Sequence, residues 1–393
     1  MNTRAPFGLR LGVIGAPAHW VGPDGTYWAY EPYVREMRVW ADLFSTVQIC
    51  GHAGDGPMTG NLAPYQRDNI ALRLVPYARD YGFYGMRRRL VRVPRLIADI
   101  RKTLKETDFA LLRSPSHFGL VGAALVRVMK MPSITKWAGE NAMYKGERIP
   151  SRVNRMIEGL ASTIHYTLVY GEPQRPHQIS FLPALMSREE LQRATALAGA
   201  RVWSPPWRIL CVGRLEPVKN FDLVIRALGI LREMQPELSW TFMLIGEGTD
   251  KRRLQVLAAE RGIADRATFT GALPFARVQE EYGKAHCAIM PGVKEGWPKI
   301  IAEAWAHGAY PVASRAGIVD TILMDRNSGS VVDATPDALA AELSRLLADP
   351  ARLRELSLNL DRFAGELSLE RFRDRLERVL VERCGLRRRK DQA

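Results

Sequence analysis

The stretch His286–Ser314 reads HCAIMPGVKEGWPKIIAEAWAHGAYPVAS and carries the pattern that decides the fold. Its apolar opening is short and runs into Pro291-Gly292, which predicts a buried parallel strand ending in a turn. Pro298 suits the first turn of a helix, and that helix stops at Gly308. A strand, a loop and a helix in this order are typical of an open α/β sheet, which binds ligands beyond the carboxyl ends of its strands.

The same stretch contains two acidic residues with seven residues between them. Glu295 falls in the loop, and Glu303 lies about one turn into the helix among apolar neighbours. Both carboxylates can therefore face one cleft. Because acidic side chains on helices are usually solvated, the interpretation as a site depends on a second group of residues upstream.

That second group lies in Ile209–Leu228, which reads ILCVGRLEPVKNFDLVIRAL. An aliphatic run ends at Gly213 and a helix opens near Asn220, so Arg214 and Lys219 lie in a strand-to-helix loop. A helix N-terminus attracts anions through its free N-H groups and its dipole, and two cations beside it favour a diphosphate. Taken alone, the two cations fit ordinary surface residues of a basic protein equally well.

Together the two groups resemble family 4 glycosyltransferases of the GT-B fold, whose C-terminal domain carries G-R-L-x-x-x-K and then E-x7-E. The matching residues, with two glycine landmarks between them in the expected order, are Gly213-Arg214-Leu215, Lys219, Ile245-Gly246-Glu247-Gly248, Phe269-Thr270-Gly271, Glu295 and Glu303. The resemblance covers the C-terminal half well and the N-terminal half only in general layout. It implies an α/β fold of two Rossmann-like domains that face each other across a cleft.

The resemblance also implies an activity: retaining transfer of a sugar from a nucleoside-diphosphate sugar. By position, Arg214 and Lys219 hold the diphosphate, Glu295 touches the sugar hydroxyls and Glu303 binds the ribose. Two cations can offset the charge that builds on the leaving group, so Arg214, Lys219 and Glu295 are the expected catalytic residues, and neither a metal nor a cofactor is expected. The expected donor-binding residues are Gly213, Arg214, Lys219, Glu295, Gly296 and Glu303.

The donor base and the acceptor site are less well determined. The loop Ala272–Ala276 contains no acid that could accept the N-H groups of guanine, which favours UDP over GDP, although backbone carbonyls could serve either base. Family members often carry a His after the strand near Thr135, where this chain has Trp137-Ala138-Gly139-Glu140-Asn141. The acceptor-side candidates are His19, His117 and Glu140, although such residues more often pack or lie at the surface. A saccharide or lipid-linked acceptor, in bacterial-type polysaccharide or glycolipid assembly, is the implied substrate.

Length and composition agree with two domains. The chain has 393 residues, of which 47% are hydrophobic and 25% charged, as in a soluble globular protein. Strands alternate with helices in both halves, which predicts parallel sheets with right-handed crossovers. The predicted domains are 1–185 for the acceptor and 207–368 for the nucleotide sugar, with a loose connection at 186–206. By analogy, the helix and basic tail at 369–393 cross back to the first domain.

Other protein classes find little support in the sequence. A dinucleotide-binding dehydrogenase would need G-x-G-x-x-G, but Lys251 stands where Gly246-Glu247-Gly248 would require a third glycine. The four cysteines are far apart and form no CxxC, which favours a reducing cytoplasm over a zinc site or a disulfide framework. No signal peptide or membrane span is evident from the apolar runs.

The net charge of +14 favours anionic partners. Residues 86–105 carry eight Lys and Arg against one Asp, and Val93, Leu96, Ile97, Ile100 and Leu104 recur at helical spacing after Pro94. We expect either a helix packed on the first sheet or, given the implied transferase, peripheral docking on the inner face of an anionic membrane. The basic residues 387–390 fit a frayed tail. A nucleic-acid binding protein is the alternative, but it has no supporting motif and the paired carboxylates would repel phosphates.

Overall fold

The computed structural model describes residues 5–15, 17–54, 58, 61–75, 83–137, 165–292, 297–316, 318–324 and 326–388, without the side chains of 83–92. The chain forms two compact units. The first half contains the chain up to Ala184 together with the segment from Arg371, and the second half is the continuous segment Leu185–Glu370. Each half is built on its own parallel sheet.

The strands of the first half are β1 (Phe7–Ile14), β2 (His19–Val21), β3 (Tyr27–Tyr30), β4 (Phe44–His52), β5 (Leu62–Pro64), β6 (Ile70–Val75), β7 (Phe109–Ser114), β8 (Ser133–Trp137), β9 (Tyr166–Val169) and β10 (Gln178–Ser180). Within the described residues the parallel sheet has the order β10-β9-β8-β7-β1-β4-β6. The helices among its described residues are α1 (Glu31–Leu43), α2 (Phe83–Lys105) and α3 (His117–Val128). The strand order reverses between β1 and β7, which makes this the switch point of the first sheet.

The central strands of this sheet are apolar because helices cover them on both faces. Ile14 of β1 packs with Ile100 of α2 and Val126 of α3 in one core cluster. Elsewhere in the same half, Trp40 of α1 stacks on Phe44 with ring centroids 6.1 Å apart. This packing leaves the carboxyl ends of the strands to the loops.

A small antiparallel sheet of β2, β3 and β5 has no counterpart among the sequence expectations. β2 and β3 form a hairpin whose turn is closed by Gly22 N-H donating to the carbonyl of Thr26 at 2.8 Å. Strands of three or four residues are too short to show the alternation that predicts a strand.

The second half repeats the doubly wound pattern. Its strands are β11 (Trp207–Val212), β12 (Trp240–Ile245), β13 (Ala267–Gly271), β14 (Cys287–Met290), β15 (Tyr310–Ser314) and β16 (Ser330–Val332). Its helices, together with the terminal helix α13, are α4 (Arg188–Gly199), α5 (Phe221–Met234), α6 (Lys251–Glu260), α7 (Phe275–Lys284), α8 (Lys299–Ala306), α9 (Val319–Leu323), α10 (Pro336–Ala348), α11 (Pro350–Ser357), α12 (Asp361–Gly365) and α13 (Leu369–Glu382). Across the described residues the sheet order is β13-β12-β11-β14-β15-β16, so the switch point lies between β11 and β14.

The segment 186–206 differs from the loose connection expected from the sequence. It contains α4, which begins with a capping box: Ser187 accepts from the N-H of Glu190, whose carboxylate accepts from the N-H of Ser187. α4 belongs to the second half. The sequence did not predict this helix because its composition is polar, and Ala194 is its only fully buried residue.

The terminal helix α13 packs with the first half. Its buried residues are Phe372, Leu376 and Leu380. Phe372 meets Phe181 edge-on, with ring centroids 5.2 Å apart. Beyond the helix, Leu386 N-H donates to the carbonyl of Leu380 at 3.0 Å, and Arg388 Nε lies 2.8 Å from Oε1 of Glu377. The tail up to residue 388 therefore folds back onto α13 and is not frayed. Residues 389 and 390 lie outside the described part.

The basic helix α2 differs in two respects from the helix that the sequence predicts. It starts at Phe83, so Pro94 lies inside the helix and not in its first turn. Its apolar residues recur on one face, but they are not buried along its whole length: Ile100 and Leu104 are buried in the first core, whereas Val93 and Ile97, nearer the N-terminal end, are 40% and 38% exposed. The side chains of 86–92 lie outside the description. None of the helices in the described ranges has the length and apolar character that crossing a membrane requires.

Candidate functional site

The two motif loops leave the second sheet side by side. β11 and β14 are neighbouring parallel strands, with Ile209 opposite Cys287. Ligands of open α/β sheets bind at such a switch point, beyond the carboxyl ends of the strands. The side-chain amide of Asn220 donates a 3.3 Å hydrogen bond to the carbonyl of Pro291, which ties the loop after β11 to the loop after β14.

Arg214 and Lys219 lie in the loop after β11, as the sequence predicts. Leu215 anchors this loop: it is fully buried, and its N-H donates to the carbonyl of Glu247 at 2.8 Å. The loop closes with one turn of 3-10 helix, Pro217–Lys219, and Asn220 then adopts a left-handed conformation with φ of 60° before α5 begins. Arg214 is exposed and Lys219 is half-buried. The cations are thus presented on a loop whose backbone is held at several points.

Glycines at 246 and 248 allow the neighbouring loop to approach closely. A Cβ atom on Gly246, which has φ of 151°, would lie 1.8 Å from the carbonyl oxygen of Gly213. A Cβ atom on Gly248 would lie 2.1 Å from the carbonyl oxygen of Leu215. A side chain at either position would displace the loop that carries Arg214, so these landmarks have a packing role here.

Glu303 lies in α8, the helix that follows the second motif loop, and is half-buried. The phenol of Tyr282, in α7, donates a 2.9 Å hydrogen bond to Glu303 Oε2. Tyr282 is fully buried, and this burial, together with the charge of Glu303, holds the pKa of its hydroxyl well above its usual value. The phenol therefore stays protonated and acts as a permanent donor to the carboxylate.

Glu295 and Gly296 lie outside the described residues, so their predicted contacts with the donor sugar stay predictions. The flanking residue Pro298 is the N-cap position of α8. In the ranges that are described, no group of His, Cys, Asp and Glu is arranged to hold a metal ion.

Of the acceptor-side candidates, His19 is a buried residue of the first half. It begins β2, its Nε2 lies 2.7 Å from the hydroxyl of Tyr65, and its ring stacks on that tyrosine. Burial, with a smaller contribution from His52, lowers the pKa of His19 to about 3. The imidazole is therefore neutral at physiological pH and contributes packing and a hydrogen bond.

The other two candidates on the acceptor side are His117 and Glu140. His117 is exposed and opens α3, immediately after the loop that follows β7 at the first switch point. The N-terminus of α3 is capped by Ser116, whose hydroxyl accepts from the N-H of Gly119 at 2.9 Å. Glu140 lies outside the described residues. Of the two candidates that the structure describes, the first half thus brings one, His117, to the exposed carboxyl edge of its sheet.

A buried charge cluster in the first half escaped the sequence interpretation. Arg113 and Lys136 stand opposite each other on β7 and β8, near the carboxyl ends of both strands. Both bind Glu36 of α1: Arg113 Nη1 donates to Oε1 at 3.0 Å and Lys136 Nζ to Oε2 at 2.6 Å. Lys136 Nζ also lies 5.4 Å from the ring centroid of Phe372 in α13. Two cations share one carboxylate here, so the cluster carries an excess positive charge.

Part of this chain is similar in sequence to known glycosyltransferases. Residues 201–363 match the family described as glycosyl transferases group 1. This segment lies within the second half and contains both motif loops. Two curated relatives align with part of the chain. The D-inositol 3-phosphate glycosyltransferase of Acidothermus cellulolyticus is 35% identical over 156 residues, covering 38% of this chain and 35% of that protein.

The second relative is the GDP-mannose-dependent alpha-(1-6)-phosphatidylinositol monomannoside mannosyltransferase of Mycolicibacterium smegmatis, 34% identical over 152 residues, or 37% of this chain and 39% of that protein. The chain thus spans well under half the length of these relatives. Among solved structures, HepE of Anabaena in complex with UDP and glucose aligns with a TM-score of 0.68 at 15% identity, covering 95% of this chain and 99% of that chain. This likeness shows the fold alone. It confirms the predicted GT-B fold of two Rossmann-like halves.

Proposed function

We propose that this protein is a glycosyltransferase that transfers a sugar from a nucleoside-diphosphate sugar. The observation that carries the proposal is the hydrogen bond from Asn220 to Pro291, because it joins the cationic loop and the acidic motif loop at one switch point. The match of residues 201–363 to glycosyl transferases group 1 supports the same function. The donor is then a substrate of the second half.

In this proposal Arg214 and Lys219 bind the diphosphate. Both side chains lie in the loop that leads into α5, so the N-terminal N-H groups of that helix add to their positive charge. Fixed cations lower the barrier by stabilising the charge that develops on the departing diphosphate, and no metal ion is needed for this step. Glu303 accepts from the ribose hydroxyls, and Glu295 with Gly296 contacts the sugar.

We propose that transfer retains the anomeric configuration. The bond between the anomeric carbon and the diphosphate oxygen breaks, and the acceptor hydroxyl bonds to that carbon on the same face. Its proton passes to the oxygen of the departing phosphate, so no protein nucleophile is required. An NMR assignment of the product linkage tests this step, and an inverted anomeric centre would refute it.

We further propose that the first half binds the acceptor and that the acceptor carries a phosphate. The names of both relatives contain such a group, an inositol phosphate in one and a phosphatidylinositol in the other. The excess positive charge of Arg113 and Lys136 suits it, as does the exposed His117 at the same sheet edge. Glu140 is a further candidate on this side. Comparing inositol phosphate with inositol as acceptor tests the proposal, which equal rates would refute.

A lipid-linked acceptor would bring the protein to the inner face of an anionic membrane, and α2 is the proposed docking element. Val93 and Ile97 are exposed beside the basic residues Arg95, Arg101, Lys102 and Lys105. We expect binding to vesicles that contain anionic lipid, and loss of it in the double variant Val93→Asp, Ile97→Asp. Val256→Asp is the control, because Val256 is also exposed, at 52%, and lies on α6 of the second half. Unchanged vesicle binding in the double variant would remove α2 from the proposal.

The donor panel tests the core of the proposal. Thermal unfolding is measured with UDP, GDP and their sugars, and UDP is the expected ligand because the loop Ala272–Ala276 offers no acid to guanine. A ligand at 100 times its Kd stabilises the folded state by about 2.7 kcal/mol. The stabilisation should be reduced in Arg214→Ala and Glu303→Ala and persist in full in Arg232→Ala, whose side chain pairs with Asp265 on the same half. Tight binding to duplex DNA with a steep salt dependence, and none to nucleotides, would favour the nucleic-acid alternative.

A further inference from the structure

Arg201 is a buried cation that binds backbone carbonyls of two helices. Its Nε donates to the carbonyl of Gly283 at 3.1 Å and its Nη2 to that of Tyr282 at 3.4 Å, both in the last turn of α7. Its Nη1 donates to the carbonyl of Gly308 at 2.6 Å, and its Nη2 also donates to that of His307, both at the end of α8. One guanidinium thus joins the C-termini of α7 and α8.

The two helix ends explain how a buried guanidinium is tolerated there. The last carbonyls of a helix lack partners within it and carry about half a negative charge together. Two such ends facing one guanidinium compensate its charge without a carboxylate. The planar fork of arginine can reach several carbonyls at once, which the single ammonium of lysine cannot. Burial lowers the pKa of Arg201 to about 10, so the side chain stays charged at neutral pH.

These are the helices that carry the Tyr282–Glu303 pair. α7 leads into β14 and α8 leads out of it, so both C-termini lie at the amino edge of the sheet, opposite the ligand edge. Tyr282 has its carbonyl bound by Arg201 and its hydroxyl bound to Glu303. His307 stacks on Tyr282, with ring centroids 5.5 Å apart, and its Nδ1 lies 2.8 Å from the carbonyl of Glu303. The contacts therefore form a continuous path from Arg201 to the Glu303 carboxylate.

We propose that Arg201 and Tyr282 are positioning residues for Glu303: Arg201 sets the position of α8 along its axis relative to α7, and the Tyr282 phenol orients the carboxylate toward the ribose of the donor. This inference rests on the proposed function, because it gives Glu303 a ligand. Neither residue touches that ligand. Their effect on binding passes through the carboxylate alone.

A double-mutant cycle tests the proposal, with UDP and GDP as probes in calorimetric titrations of the full chain. Tyr282→Phe removes one hydroxyl and should raise the nucleotide Kd about tenfold or more, the loss expected for one hydrogen bond to a charged group. Arg201→Lys keeps the charge and loses the fork, and should weaken binding in the same direction. In a Glu303→Ala background, neither substitution should change the Kd further. Arg266→Lys is the matched control: Arg201 lies over the ring of Trp203, and Arg266 likewise lies over a tryptophan ring and donates to a carbonyl, that of Leu238.

The outcomes separate this inference from the proposed function. No binding of either nucleotide by the unaltered protein would overturn both. Binding that is weakened in Glu303→Ala and unchanged in Tyr282→Phe would overturn only the positioning role. Equal weakening by Tyr282→Phe with and without Glu303 would mean a general structural effect and would overturn it too. If Arg201→Lys fails to fold, as judged by circular dichroism, the cycle with Tyr282→Phe still decides.

Discussion

Replacing Glu36 by glutamine tests the charge cluster of the first half. Glu36 is the carboxylate shared by Arg113 and Lys136, at 3.0 and 2.6 Å, and the side chain of Lys136 is only 3% exposed. The substitution leaves two cations close together, one of them buried, without an anion. Removing one partner of a buried ion pair costs about 3–5 kcal/mol, which for a domain of this size lowers Tm by roughly 6–20 °C.

The structure also predicts a ranking among variants of this cluster. Lys136→Met leaves Glu36 paired with Arg113 and should cost about 1–2 kcal/mol. Glu31→Gln is the control on the same helix, because Glu31 pairs with Arg35 one turn away, and should cost about 0.5 kcal/mol. Urea unfolding, followed by circular dichroism, gives the free energy of unfolding for each variant. A cost for Glu36→Gln no greater than that for Lys136→Met would refute the shared-carboxylate reasoning.

Three further predictions concern other parts of the chain. Gly248→Ala should cost about 3 kcal/mol and weaken nucleotide binding, because its Cβ would meet the Leu215 carbonyl, whereas Gly199→Ala, in open space, should change stability by under about 1 kcal/mol in urea unfolding. Burial lowers the pKa of His286 to about 4, below the ordinary 6.5. The unfolded chain therefore takes up a proton here at a higher pH than the folded protein does, so acid favours the unfolded state. Between pH 6.5 and pH 4 the Tm should fall less steeply in His286→Phe than in the unaltered protein, and an equally steep fall would contradict this. Phe372→Ala should cost about 3–5 kcal/mol by unfolding, since the ring is fully buried; a cost below about 1 kcal/mol would contradict its place in the core of the first half.

The fold was largely predictable because its strands and helices are long enough to show their periods. The aliphatic run before Gly213 and the apolar run before Pro291 both became parallel strands, β11 and β14. Their adjacency could not be read from the chain, because strand order depends on which sheet edges pair during folding. The two motif loops lie side by side because β11 and β14 are neighbours in the sheet.

Contacts between residues that are far apart in the chain could not be predicted from the sequence. Glu36 meets Arg113 and Lys136 at separations of 77 and 100 positions, and Arg201 meets the end of α8 at 106 and 107. No local pattern marks such contacts. Helical spacing correctly predicted that residues near 100 form a helix with one apolar face, but it could not tell that this face is buried at Ile100 and Leu104 and exposed at Val93 and Ile97.

The first half is assembled from two distant parts of the chain, and this has a consequence for synthesis. Leu185–Glu370 is one uninterrupted stretch and can reach its native form as soon as it leaves the ribosome. The first half begins to emerge earlier but lacks α13 until residues beyond 370 have been translated. Until then Phe181 has no Phe372 to pack against, so the part of the protein that is made first is the last to be completed.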